Sequence, residues 1–312
     1  MNASVTASSG PIGWLGELGD PVPGVEVGGK AASLDRLARL GFVIPPGFCL
    51  TTAAFSAHVA AVAERAPLAE ALGALPDEAA RATVVDLIRE TPAPALICDS
   101  LRLALARMAA AGETSFAVRS SAVGEDGATA SYAGLHDTEL GLAADDVEPA
   151  VRRCWSSLWS AAAVAYRQAR SLPTDDVAMA VVVQALVPAD AAAVVFTRHP
   201  VTGRDDQLVI TAVRGLGEAM VAGTVTPDTW VVERATRSVL MFEPGDGGRG
   251  EALDAESLGD LVGVSLEIEA RYGRPVDIEA AIARGAWYVL QARPITTGSS
   301  PATPAGTTAS LR

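Results

Sequence analysis

VAMAVVVQALVPADAAAVVFT, residues 177–197, is where the chain changes character. Its two runs of valine and other apolar residues are short and flank a proline-bearing turn, so they read as strands over 177–186 and 193–197. The same pattern recurs downstream at 208–213, 229–233 and 239–242. A helix over 254–271 and a hairpin pairing 276–282 with 287–292 complete this half. Upstream the period is helical. A Gly-Gly-Lys turn opens a helix over 31–40, Pro45-Pro46-Gly47 stops it, a strand follows at 48–50, and Thr51 or Thr52 caps the next helix. Two alanine-rich helices fill 77–111, and 116–120 reads as a short strand. A long helix over 146–170 carries Trp155, Leu158, Trp159 and Tyr166 near one face. Helices first and strands second imply an α+β protein in two lobes, 13–175 and 176–297, between disordered ends at 1–12 and 298–312.

The 312 residues can bury a substantial core, and with aromatics at 5% that core is built from small aliphatics. A net charge of −13 repels polyanions, so nucleic acid is excluded as a partner, while a small anion can still bind where cations converge. Cys49, Cys98 and Cys154 are isolated and odd in number, which fits reduced thiols in a cytoplasmic protein rather than disulfides or a zinc site. No apolar run is long enough to span a membrane, and the N-terminal residues do not form a signal peptide.

Cations and anion-binding backbone are concentrated in a few places. Lys30 is the only lysine among 24 basic residues, and it follows two glycines at a helix start. Glycines admit an anion close to backbone N–H groups, and a helix N-terminus favours negative charge. Lys30 is therefore either a phosphate ligand or a solvated lysine. The run GVEVGGK, residues 24–30, satisfies G-x-x-x-x-G-K, but Ala31 replaces the Ser/Thr of a P-loop and no buried strand precedes it. In FAVRSSAVGEDGATASYAGLHDT, residues 116–138, a strand delivers Arg119 and two serines to a glycine-bearing loop. That loop could fold over a polyphosphate while Arg119 offers a fork of donors, or it could be a surface loop with a salt-bridged arginine.

The hairpin PVDIEAAIARGAWYVLQARP, residues 275–294, puts Asp277 and Glu279 on one strand face and Gln291 and Arg293 on one face of the returning strand. A three-residue turn over 284–286 would set Glu279 opposite Gln291 and Asp277 opposite Arg293. Glu279 and Gln291 then make a magnesium ligand pair, or else a polar strand face. Gln184 ends an apolar strand, where its amide could read an adenine edge or pair with backbone. The turn around Glu218 is as plausible a scaffold as a site. His58, His136 and His199 form no hydrolase constellation.

Taken in order, these blocks resemble the N-terminal ATP-binding domain of the phosphoenolpyruvate synthase, pyruvate phosphate dikinase and rifampin phosphotransferase family. The resemblance rests on GGKAASLDRLARLGFVIPPGF, AVRSSAVGEDGATASYAGLHDT, VVVQALV, VVFTRHPVTG, RGLGEAMVAGTVTPD, DIEAAI and VLQARPIT, and runs from residue 28 to 296. It implies an ATP-grasp fold whose two lobes clamp MgATP. It further implies that Lys30 and Arg119 contact phosphates and that Gly134 and Thr138 line the phosphate loop. Gln184 would sit by the adenine, Glu279 and Gln291 would reach magnesium-bound phosphates, and Arg293 would complete the clamp. Such enzymes pyrophosphorylate a histidine on a separate swivelling domain, releasing AMP and then phosphate. The phosphohistidine serves pyruvate or another acceptor. Ala280, His199 and His136 depart from the family pattern, which commonly has tryptophan, aspartate and glutamine there.

No swivelling histidine domain or acceptor domain is expected after residue 300. The leading reading is thus the ATP-binding subunit of a split dikinase-type phosphotransferase, similar to the two-component arrangement of phenylphosphate synthase. The rivals are a domain cut from a longer rifampin phosphotransferase or phosphoenolpyruvate synthase-like enzyme, and a nucleotide-binding regulator without phosphoryl transfer. The sequence leaves the final acceptor and the oligomeric state open.

Overall fold

A computed structural model describes residues 10–19, 24–123, 138–170, 172, 177–246 and 251–295. The disordered ends expected at 1–12 and 298–312 lie outside these residues except for 10–12. Pro11 accepts a backbone bond from Thr51, and Gly10 accepts one from the Thr51 hydroxyl. The chain divides into two compact units: residues 1–188 with 286–291, and residues 189–285 with 292–312.

The first unit runs β1 (Ile12–Trp14), α1 (Gly24–Arg39), β2 (Gly47–Leu50), α2 (Thr52–Ala63), α3 (Leu68–Gly73), α4 (Glu78–Glu90), α5 (Ala95–Ala110), β3 (Phe116–Ala122), β4 (Thr138–Leu142), α6 (Ala144–Ser156), α7 (Ala161–Ala169) and β5 (Met179–Ala185). Its sheet has the order β1-β2-β5-β3-β4, and every pairing is antiparallel. The valine run of β5 is buried on both sides, so it occupies the centre. Alternation sorts its side chains. Met179, Val181 and Val183 join Phe48, Phe116 and Val118 in a core with Phe55, Trp155 and Trp159 of the helical layer. Ala180 and Val182 face the other way and pack with Cys49 against Val27, Ala31 and Leu34 of α1.

Two local expectations are corrected. The helix expected over 146–170 is broken. Ser156 and Ser157 hydrogen-bond back to the carbonyls of Arg153 and Cys154, a short 3-10 turn follows at Ser157–Trp159, and Ser160 turns extended to cap α7 by accepting from Ala163 N. Thr51 stands at the N-cap of α2, but its hydroxyl is spent on Gly10 rather than on the helix. The run 24–30 lies in α1, helical on either side of Gly28, which agrees with the reading against a P-loop.

The second unit contains β6 (Ala191–Phe196), β7 (Gln207–Arg214), α8 (Glu218–Val221), β8 (Asp228–Glu233), β9 (Val239–Glu243), α9 (Ala255–Tyr272) and β10 (Val276–Ala283). The sheet order is β11-β10-β6-β7-β8-β9; of β11 (Ala286–Pro294), residues up to Gln291 group with the first unit and those from Ala292 with the second. One face carries Ile278, Ala280, Val195, Ile210 and Trp230, all buried and aligned by register. Helix α9 lies against β10, is N-capped by Asp254 and is closed by Gly273 in the left-handed region. The opposite face of β10 carries Asp277 and Glu279. The turn after β10 is two residues, Arg284 and Gly285, both with positive φ, not the three-residue turn expected. Among the described residues no helix is long and apolar enough to cross a membrane.

Candidate nucleotide site

In the first unit Lys30 stands beside a break in α1. Gly28 has φ 71° and ψ 173°, so the element is two helices meeting at a kink, and the second starts immediately before Lys30. A Cβ on Gly28 would lie 2.0 Å from the carbonyl oxygen of Ser121, so only glycine lets the two backbones approach. Ser121 is fully buried. Its hydroxyl accepts from Ala31 N at 3.1 Å and donates to the Val27 carbonyl at 2.8 Å, tying the break to β3. Lys30 is thereby held in the first turn of the second helix, half-buried.

Arg119 lies two residues before Ser121, on the same side of β3, because these residues pair with Val182 and Ala180 of β5. That is the side α1 covers. The Arg119 guanidinium donates to the Leu290 carbonyl at 2.8 Å and makes a long contact to Gln291 Oε1 at 3.4 Å. Thr138 pairs directly with Arg119 across β3 and β4 and is exposed. The next residue, Glu139, is gripped by Arg153 of α6 through two 2.6 Å bonds, which fixes the start of β4. Lys30, Arg119, Thr138 and Gln291 thus belong to one compact unit, whereas Gly134 and His136 lie outside the described residues.

Gln184 sits on β5, 2% exposed, and its amide donates to the Pro45 carbonyl at 3.1 Å. Of its two possible roles, the structure displays the backbone one. Gly47 makes that packing possible, since a Cβ there would fall 2.8 Å from Gln184 Cγ.

In the second unit Arg293 grips the buried Asp277 through Nε at 2.8 Å and Nη2 at 2.7 Å. Burial pushes the Asp277 carboxyl above its ordinary range; the Arg293 charge and hydrogen bond oppose this, and the Glu279 charge adds to it. Asp277 and Glu279 thus lie on one face of β10, with the Arg293 guanidinium on Asp277. Among the described residues no group of three or more His, Cys, Asp or Glu side chains is placed to hold a metal.

The histidines do other work. His58 is fully buried, stacks on Trp155 with centroids 5.0 Å apart, and bonds the Ile88 carbonyl through Nε2 at 2.9 Å. Burial lowers its pKa. His199 Nδ1 accepts from Val201 N and Thr202 N, both at 3.3 Å, stabilising its own turn. Sequence reasoning had singled out neither Ser121 nor a buried role for Asp277. The two-residue alternation from Arg119 to Ser121 was the available signal for the first.

Comparison with known proteins identifies the family. The family model described as pyruvate phosphate dikinase, AMP/ATP-binding domain matches residues 25–310. A probable phosphoenolpyruvate synthase of Methanocaldococcus jannaschii is 36% identical over 92% of this chain and 27% of its own length. A rifampicin phosphotransferase of Streptomyces sviceus is 39% identical over 87% of this chain and 34% of its own length. A prodigiosin synthesizing transferase of Serratia marcescens is 35% identical over 88% and 32%. The chain spans between a quarter and a half of the curated relatives it matches. With an α+β architecture of ATP-grasp type and a family match over most of its length, this chain belongs to the pyruvate phosphate dikinase AMP/ATP-binding domain family.

Proposed function

We propose that this chain is the nucleotide-activating part of a dikinase-type phosphotransferase. It would bind MgATP and present the polyphosphate to a histidine on another domain or a partner protein, with release of AMP and phosphate. The observation that carries the proposal is the junction of the glycine-kinked helix bearing Lys30 with the strand bearing Arg119, in a chain of this family. A helix N-terminus, an ammonium and a guanidinium supply partial and full positive charge, which suits phosphate.

Lys30 and Arg119 would bind and orient the phosphates, with Gly134 and Thr138 lining the loop beside them and Gln184 placed by the adenine. Glu279 and Gln291 would hold magnesium, which when bound neutralises phosphate charge and orients the chain for in-line attack. Arg293, held by Asp277, would be a third phosphate cation. Phosphoryl transfer of this kind depends on positioning and charge neutralisation, so the acceptor histidine must be mobile enough to align and leave. His58 is sealed in the core and His199 is committed to its turn. This supports an acceptor outside the described residues.

The test uses ATP labelled at the β-phosphate. The chain alone should hydrolyse ATP slowly at most and carry no stable label. With a cognate histidine-domain protein, AMP should be released and the partner labelled. Stoichiometric label on this chain alone, or ADP as the sole product with the partner, overturns the proposal.

A further inference from the structure

We infer that Ser121 is a positioning residue for nucleotide binding: its hydroxyl caps the Lys30 helix from the neighbouring strand and so locks Lys30 and Arg119 onto a common frame. The inference rests on the function proposed above and assigns a role to a side chain that itself need not touch the nucleotide.

A helix start leaves its first N–H groups without partners inside the helix, and an N-cap side chain normally accepts from the second or third residue. At the break in α1 the cap position is Gly28, which has no side chain. Counting from Gly28, Ala31 is the third residue of the new helix, and its N–H goes to Ser121 Oγ at 3.1 Å. The same hydroxyl donates its proton to the carbonyl of Val27, the last residue before the break, at 2.8 Å. One oxygen therefore ends the first helical segment and begins the second. Glycine at 28 is what lets it come so close, since a Cβ would sit 2.5 Å from Ser121 Oγ.

The consequence for function follows from where Ser121 is attached. It shares a side of β3 with Arg119, and β3 pairs along its whole length with β5 and, across a register shift, with β4. The hydrogen bond to Ala31 joins that rigid strand to the residue after Lys30. Without it the Lys30 turn can fray or shift while Arg119 stays fixed by Leu290. Two cations that act on one phosphate chain lose binding energy when their spacing is not held.

The adjacent residue is a built-in control. Ser120 is as buried as Ser121, but it pairs with Val181, on the side of the sheet that faces the large core, and its hydroxyl makes no hydrogen bond among the described residues. Equal size and burial with opposite bonding separate a positioning role from mere packing.

The experiment measures ATP and adenosine binding by calorimetry, with thermal unfolding of each variant, for wild type, Ser121→Ala, Ser120→Ala, Lys30→Ala and the Lys30→Ala/Ser121→Ala double variant. Ser121→Ala should weaken ATP about three- to thirtyfold, the range of a lost helix cap, and leave adenosine within about twofold. Ser120→Ala should leave both affinities at the wild-type level. In the Lys30→Ala background the Ser121 substitution should cost little further ATP affinity, because the cation it positions is gone. If Ser121→Ala does not fold, Ser121→Cys, a near-isosteric but weakly hydrogen-bonding replacement, is measured with the same expectation. Unchanged ATP affinity, an equal loss of ATP and adenosine, or additivity with Lys30→Ala overturns the inference while leaving the nucleotide site standing. Absence of ATP binding by the wild type overturns the proposed function itself.

Discussion

Arg119 offers the sharpest separation between a ligand and a structural arginine. Its guanidinium donates to the Leu290 carbonyl at 2.8 Å and reaches Gln291 at 3.4 Å, and the residue is half-buried. Truncation to alanine removes at least the charge-assisted bond to Leu290 and the long contact to Gln291. A bond of the first kind is worth about 1.5–3 kcal/mol, and partial exposure puts this one at the lower end, so stability should fall by roughly 1–2 kcal/mol. The phosphate contact is a second loss of about 1.5–3 kcal/mol, hence about ten- to a hundredfold in ATP affinity. Arg119→Lys divides the two losses. An ammonium keeps the charge but lacks a planar fork, so it can serve the carbonyl or the phosphate and not both with good geometry. Its ATP affinity should lie between wild type and alanine. Calorimetry across ATP, ADP and AMP provides the assay, because the penalty should grow with the number of phosphates. If both variants bind ATP like the wild type, or if ATP, ADP and AMP weaken by one common factor, Arg119 is a structural tie between β3 and β11 and the site assignment fails.

Two further outcomes are expected. Glu279→Gln should reduce magnesium-dependent turnover in the presence of the histidine-bearing partner more than it reduces ATP affinity, since a ligand carboxylate matters most where charge develops; unchanged turnover would make Glu279 a strand-face residue only. His58 is buried neutral, with its pKa lowered chiefly by burial, so the unfolded chain takes up a proton below about pH 6.5 that the folded chain refuses, and stability must fall with falling pH through that range. Urea unfolding should therefore show the stability difference between wild type and His58→Leu moving against the wild type from about pH 7.5 to about pH 5.5. A difference that is flat with pH would show that His58 takes its proton inside the fold.

The parts of this fold that could be read in advance are those where periodicity and burial agree. The valines of β5 are short, β-branched and flanked by turns, and a central strand is the one place where both faces of such a run are buried. Asp277 and Arg293 are expected to meet through a three-residue turn; the turn has two residues, and the two side chains still form an ion pair. What could not be read is held by partners distant in sequence. β1 is three residues long and exists through its pairing with β2. β4 contains a glycine and is gripped by Arg153. The tie from Ser121 to Ala31 spans 90 positions, and that from Arg119 to Leu290 spans 171, so neither leaves a local pattern. The break after Ser156 was missed for another reason: apolar residues keep the helical period across it, while serine hydroxyls compete for the carbonyls that would continue the helix.

His199 shows how a departure from a family pattern becomes intelligible once bonds replace residue names. The family resemblance leads one to expect aspartate here, whose carboxylate would serve a turn by accepting backbone N–H groups two and three residues on. Histidine supplies the same acceptor from Nδ1, 3.3 Å from both Val201 N and Thr202 N. The turn is further closed by backbone bonds from His199 to Arg204 and from Gly203 to His199. A sequence comparison scores the two residues as unlike. The turn requires only a lone pair in the right place, and histidine provides it.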